Sequence, residues 1–457
     1  VLKRVAFWHW RRGEYLHSIN AALEASDHRW AHVMSDSIIL DVALRQGEIE
    51  ALRTWFKKVP VRTIKKIASL SIGYAWVLYF NQQSCQADEI LVNSIHPNSR
   101  GLDDLDKEGW RELVNAIGKA TQDNMQLSQT LCQKWIDSYG ERNIVGKGAA
   151  LTCQTFIASS DHRFEDFKRL SHKAAVAIQS SNQLYAFIWL KTAEVQAELF
   201  RGDMVRATSV LLQGKKEAEY IQLSNVFLSK IFGVLELQIL HEKNHHLVTH
   251  ESAQASFDFA LNYGVTDILW GYTQPYSRFL YHQGFRGLSR LNILARIQLA
   301  ELALLNNEEL DLATLPDEGE LTFLPNQNQV IRARITLLKA MHRLRLGKQF
   351  GVAEKYARQA LQSASAVSDA RTKVAAQYCQ ALAAFALGSS KLAKRMILDA
   401  NLLAEHLNCH FTRLWIKEAL LSLSPIAQDL FDQVPDDLGS ESKTTTELEA
   451  KTENHST

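Results

Sequence analysis

His241-Glu242-Lys243-Asn244-His245 has the H-E-x-x-H spacing in which two histidines one helical turn apart hold zinc and the glutamate serves as general base. That chemistry needs an uninterrupted helix and a third ligand. The longer zinc-protease form would place glycine at 248 and histidine at 251, where this chain has Val248 and Glu251, and Lys243-Asn244 falls where an inter-helix turn is due. A zinc-dependent hydrolase built on His241, Glu242 and His245 is therefore a remote alternative. A solvated, histidine-rich turn that also contains His246 and His250 is the favoured reading.

A second candidate is the glycine run Gly140 to Gly148, which superficially resembles a phosphate-cradling loop. Its glycines are six apart instead of five, and Gly148 stands where a magnesium-binding Ser or Thr is required. The preceding Leu131-Cys132-Gln133-Lys134-Trp135-Ile136 has an amphipathic helical pattern and not that of a buried strand. A loop between helical hairpins is expected there. No catalytic residue, metal or cofactor is assigned.

The elements that would have to carry such residues are helices. The 457 residues include only seven prolines and 21 glycines, and the dominant residue types are those that lose least entropy in helices. Fifty-one basic residues against 50 acidic ones leave a net charge of +1, so the segment has no footprint for a phosphate backbone and direct DNA contact is not expected. The five cysteines (Cys85, Cys132, Cys153, Cys379 and Cys409) are scattered through apolar stretches without C-x-x-C pairing and read as buried thiols in a reducing compartment. No run reaches the roughly 18 apolar residues of a membrane span, and no signal-type apolar core follows the start, so the cytoplasm is the expected location. A first residue of Val implies that the chain begins inside a longer polypeptide.

Helical periodicity runs from Val5 to about Leu423, broken at polar turns such as Ser26-Asp27-His28, Gln46-Gly47 and Leu387-Gly388-Ser389-Ser390. One frame of small residues recurs at steps of seven, five and seven. Ala381, Gly388, Ala393 and Ala400 fit it, as do Ala6, Gly13, Ser18 and Ala25. Ala340, Gly347, Ala353 and Ala360 fit with one inserted residue; Ala75, Gln82, Ala87 and Ser94 form a further copy, and Val195, Gly202, Ala207 and Gly214 a looser one. Two antiparallel helices approach closely where side chains are small, and glycine ends the first at a tight turn. Each hairpin leaves an apolar face that the next covers. The expected fold is all-α: a TPR-like solenoid of helical hairpins forming a right-handed superhelix with a concave groove. Repeats are expected over 1–304 and 330–425, with a polar connection carrying one short helix over 305–329 and a disordered polar tail over 436–457.

The small residue of each first helix fixes which neighbours face the groove: six and three positions before it, one and four after it. From Ala75 this selects Trp76 and Tyr79; from Val195, Trp189 and Gln196; from Ala340, Arg334; from Ala381, Tyr378 and Phe385. Ser277 and Gly284 form another frame and add Arg278 and Tyr281. Aromatic faces beside arginines suit an amphipathic ligand, although such stripes more often pack between repeats.

The stretch from Trp10-Arg11-Arg12-Gly13-Glu14-Tyr15 to Leu23, Gly47-Glu48-Ile49-Glu50-Ala51-Leu52 to Pro60, and Tyr74-Ala75-Trp76 resembles the helical-repeat sensor region of large MalT/LuxR-type transcriptional regulators. Ala400-Asn401-Leu402-Leu403-Ala404-Glu405 to Phe411-Thr412-Arg413 is similar to the last hairpin of that region. The resemblance implies a non-enzymatic sensor whose repeats receive a small-molecule inducer or a protein partner, compatible with oligomerisation and without membrane contact. It also implies an ATP-binding module before the repeats and a helix-turn-helix module after them. This chain has neither pattern: no phosphate-binding loop on a strand, and a region after Asp436 too polar for three packed helices. A stand-alone helical adaptor between proteins is the main alternative.

Overall fold

The computed structural model describes residues 1–46, 49–81, 83–92, 104–122, 124–181, 183–220, 226–243, 249, 251–252, 255, 258–259, 296–297, 299–301, 303–304, 310, 312–317, 328–347 and 349–434. Among these the regular structure is helical, with no strand. The chain divides into two compact units, one within 1–296 together with 324–327, the other within 297–323 and 328–457.

In the first unit the described helices are α1 (Leu2–Arg11), α2 (Tyr15–Glu24), α3 (His28–Leu40), α4 (Ile49–Phe56), α5 (Val61–Ile64), α6 (Ala68–Phe80) and α7 (Ser84–Val92). They continue as α8 (Asp104–Thr121), α9 (Met125–Tyr139), α10 (Ile144–Ser160), α11 (Phe164–Ser181), α12 (Leu184–Arg201), α13 (Met204–Tyr220) and α14 (Val226–Glu242). From α6 to α14 each helix packs on the next, and α6, α8, α10 and α12 pack also on the next but one. Thus α6, α8, α10, α12 and α14 form one layer, and α7, α9, α11 and α13 alternate with them in a second. The first layer includes helices buried on every side, as their lack of a polar face requires. In α6 every residue but Tyr74 is buried.

Small residues set how closely the helices approach. A Cβ on Gly118 would overlap the Tyr79 ring, one on Gly146 would overlap the Trp135 indole, and one on Gly73 would stand 2.5 Å from Ile39 Cγ2. Gly146 and Gly148 lie inside α10, so the run Gly140–Gly148 is not the connecting loop its glycines suggested. Only Glu141–Asn143 separate Gly140, which ends α9, from α10, which Asn143 caps by accepting from Gly146 N–H at 2.8 Å.

The turns follow one rule that glycine alone does not reveal. Gly13, Gly202, Gly347 and Gly388 adopt positive φ, but so do Ser26, His162, Ser368 and Asn408, at φ 52° to 58°. After each of these except Gly347 the next N–H reaches back to a carbonyl in the last turn of the preceding helix, as from Asp203 to Glu198 and from Cys409 to Ala404. The Asp after the left-handed residue then caps the following helix: Asp27 accepts from Trp30 N–H, Asp203 from Arg206 N–H and Asp369 from Thr372 N–H. Three short polar residues thus serve as both stop and start.

Two features depart from the sequence expectation. α3 runs into a π-helical turn, Asp41–Gln46, whose Val42, Ala43 and Leu44 are buried and which packs on α6 and α12. Cys85 is exposed, because α7 buries Ala87, Ile90 and Leu91 and turns position 85 to solvent; the other four cysteines are buried.

The second unit contains α15 (Asn328–Arg345), α16 (Phe350–Ala366), α17 (Ala370–Ala386), α18 (Ser390–Leu407), α19 (His410–Leu423) and α20 (Ile426–Phe431), with a 3-10 turn at Leu312–Thr314. α17 is central, touching α15, α16, α18, α19 and α20. The frame residues Ala340, Ala353, Ala360, Ala381, Ala393 and Ala400 are fully buried. Positions 436–457 lie outside the described residues.

Candidate functional site

Three helices of the first layer each direct a stripe of aromatic or small side chains at one point. Trp76 and Phe80 are one turn apart on α6, Tyr185 and Trp189 one turn apart on α12, and Ala149, Cys153 and Phe156 follow helical spacing on α10. They enclose an apolar pocket of about 70 Å³, closed on another side by Leu44 of the π-helical turn. The rings contact edge to face and tilted: Trp76–Phe80 centroids are 4.8 Å apart, Phe80–Trp189 and Phe156–Trp189 5.7 Å, and Tyr185–Trp189 6.1 Å at 90°.

Electrostatically the pocket is bare. No charged side chain lines it, and the hydroxyls of Thr121 and Thr152 are turned back to the Gly118 and Gly148 carbonyls at 2.8 Å. Burial pushes the Tyr185 hydroxyl far above the usual phenol range, so it stays protonated. Behind the pocket Ser128 Oγ lies 3.5 Å from Cys153 Sγ. Cys132, hydrogen-bonded to Cys153 and fully buried, is held well above the ordinary thiol range.

Of the residues selected from the small-residue frame, Trp76 and Trp189 meet in this pocket. Tyr79 points elsewhere: its hydroxyl donates to Asp88 Oδ1 at 2.5 Å, and Asp88 also receives Lys119 Nζ at 2.9 Å and Gln122 Nε2 at 3.1 Å. Burial alone would raise the Asp88 carboxyl, but these donors hold it below the ordinary carboxylate value. Gln196 is buried. In the second unit Arg334 forms an ion pair with buried Glu301 at 3.1 Å, Tyr378 donates to Asn401 Oδ1, and Phe385 is half-buried. Arg278 and Tyr281 lie outside the described residues.

Leu44, Phe80, Phe156 and Tyr185 were not singled out from the sequence. Phe80 and Tyr185 stand one turn from Trp76 and Trp189, so an i, i+4 search around each selected tryptophan would have found them. Leu44 carries no such signal, because only the π-helical turn brings it to α12.

α14 ends at Glu242 and Lys243 stands in a turn, while His245 lies outside the described residues. Among the described residues no group of three or more His, Cys, Asp and Glu side chains is arranged to hold a metal ion. A larger groove of about 600 Å³ lies between α9, α10 and α11, lined by Lys147, Arg163, Arg169, His172 and Lys173. Asp166 takes up both Arg163 and Arg169 at 2.9 Å. No described helix is long and apolar enough to cross a membrane.

No protein-family model matches the chain. It is 68% identical over 470 residues to the HTH-type transcriptional regulator AlkS of Alcanivorax borkumensis, an alignment that takes in 99% of this chain and 54% of that protein. It is 33% identical over 455 residues to the regulator of the same name from Pseudomonas putida, covering 95% of this chain and 51% of the relative. The counterpart from Ectopseudomonas oleovorans is 34% identical over 435 residues, covering 90% and 48%. Over nearly all of its own length, then, the chain is similar to proteins named HTH-type transcriptional regulator AlkS, and it spans about half the length of these curated relatives.

Proposed function

We propose that this chain is the helical-repeat sensor segment of a transcriptional regulator of the MalT/LuxR type. It is not an enzyme in this reading: its repeats stack as a TPR-like superhelix, receive an inducer or partner, and pass that state to a DNA-binding module. The observation that carries the proposal is the 68% identity over 99% of the chain to a protein named an HTH-type transcriptional regulator. Three further features support it: the recurring small-residue frame, the alternating two-layer packing from α6 to α14, and an uncharged aromatic pocket built from the first layer. Such a pocket, apolar and without a charged side chain in its wall, suits recognition of a small uncharged molecule.

The test is made in the gene that encodes the chain. Reading it beyond both ends should reveal a helix-turn-helix segment after the repeats, and deleting the codons for residues 68–201 should abolish effector response of a reporter while the protein still accumulates. An open reading frame without a DNA-binding module would overturn the proposal. A stand-alone adaptor is the second reading, favoured by the groove between α9 and α11, whose size and basic lining suit an acidic protein segment.

A further inference from the structure

The first copy of the small-residue frame differs from the others in what covers it. α1 packs mainly on α2, and Ala6 is its only buried residue. The position after the first small residue holds Trp76, Gln196, Met341 and Leu382 in the other four copies, each of them buried; in the first copy it holds Phe7, which is 50% exposed. The position two before the small residue is buried in those four copies as well, and in the first it holds exposed Arg4. Neighbouring helices therefore cover that side elsewhere, and on α1 it is open.

An array end that meets water carries a polar cap. α1 instead presents Arg4, Phe7, Trp8 and Arg11 at i, i+3, i+4 and i+7, with Trp8 51% exposed. The Arg11 guanidinium lies 5.8 Å from the centroid of the Phe7 ring and that of Arg12 4.5 Å from the Trp8 ring, which makes the face both aromatic and cationic. Lys3 and Arg12 are neutralised by Asp27 and Glu14 at 2.8 and 3.0 Å, whereas Arg4 and Arg11 have no ion pair among the described residues. A helix that is apolar on a second side belongs between two layers.

We propose that this face of α1 docks a helix with an apolar centre and acidic flanks, supplied by the half of the regulator that lies outside this chain. The proposal rests on the sensor reading above, and the curated relatives, of which the chain spans about half, contain such a further region. Charge decides against a second copy, because a two-fold pairing of this face would set Arg4 and Arg11 of one molecule against the same arginines of the other. An acidic helix pairs with both and buries Phe7 and Trp8 as their counterparts in the other copies are buried.

Hydroxyl-radical footprinting read by mass spectrometry, on the full regulator and on the 457-residue chain side by side, tests the docking. Oxidation of Phe7 and Trp8 should be at least about fivefold slower in the full regulator, at a rate independent of protein concentration, because the docked helix keeps water from both rings. Equal rates in the two proteins would overturn the proposal, as would protection of the chain alone that grows with its concentration, the mark of a second copy. This comparison needs no variant that could misfold. Arg4→Glu together with Arg11→Glu alters two exposed side chains and should remove most of the protection; protection unchanged by the reversal rules out an acidic partner. An effector-responsive reporter separates the two claims. If it responds while both rings react as fast as in the chain alone, the docking fails and the sensor reading stands; if both rings are protected and the gene encodes no DNA-binding module, the sensor reading fails and the docking stands.

Discussion

Ser128 Oγ donates to the Ala116 carbonyl at 2.7 Å, and Ser18 Oγ makes the same twelve-residue connection to the Ala6 carbonyl at 2.5 Å. In both hairpins the third small position is a serine that fits the helix crossing and satisfies its hydroxyl on the facing helix, with a sulfur beside it, Cys153 Sγ or Met34 Sδ. Ala116 and Ser128 thus take the first and third positions of the frame in a hairpin that the sequence reading did not pick out, because Asp123 and Trp135 stand at the second and fourth. Ser128→Ala should lower unfolding free energy by about 1 kcal/mol through the lost bond. Ser128→Val should cost about 1–3 kcal/mol by overpacking the crossing, and denaturant titration resolves the two.

Close approach should also be visible at the helical glycines. Gly146→Ala drives a methyl into Trp135, whose Nε1 is anchored on the Gly109 carbonyl at 2.6 Å, and should destabilise by about 1–3 kcal/mol. Gly233→Ala on α14 meets nothing within 4 Å and should instead stabilise by up to about 1 kcal/mol through helix propensity. A loss for both would show that propensity is not the controlling effect at Gly233.

The left-handed turns make a paired prediction. Gly388, at φ 86°, has nothing around its Cβ position, so Gly388→Ala is penalised by backbone conformation alone, by about 1 kcal/mol. Exposed Ser368 adopts φ 55° with a Cβ already present. Ser368→Gly should therefore raise the melting temperature slightly, part of the gain being offset by the freer unfolded chain. Thermal melts of the two variants should shift in opposite directions.

The Asp88 cluster sets a pH dependence. Its carboxyl titrates below the ordinary value of 3.8 in the folded chain, so it contributes stability above that pH, and the contribution is lost as pH falls through the lower folded value. Asp88→Asn should lower stability at pH 7, and the gap from the unsubstituted chain should close on acidification. Tyr79→Phe, which removes the 2.5 Å bond, should cost about 1–2 kcal/mol at neutral pH. Urea unfolding at a series of pH values measures both.

In the second unit, Tyr378 donates to Asn401 Oδ1 and both residues are buried. Tyr378→Phe strands the Asn401 carbonyl and should cost about 1–3 kcal/mol. Adding Asn401→Leu should recover part of that loss, because it removes the unmet group. A double variant as unstable as the sum of the single ones would show that the two residues are not coupled.

Helix content, and the points where helices touch, were legible in the sequence because both depend on local chemistry. The entropy cost of each residue in a helix is its own, and Ala381, Ala393 and Ala400 are buried for the reason their size announced. The turn at Ser26 was legible from its polar run, but those at Ser368 and Asn408 were less so, since polar residues pay the left-handed strain only where the next helix holds them in place. The pocket was beyond reach. The frame selected Trp76 and Trp189, but their meeting depends on how α6, α10 and α12 stack, and Leu44 joins them only because α3 runs into a π-helical turn packed on α12. A sequence period determines which face of a helix is covered; which distant face covers it, and which polar atoms are left unmet there, are decided by the three-dimensional packing of segments far apart in the chain.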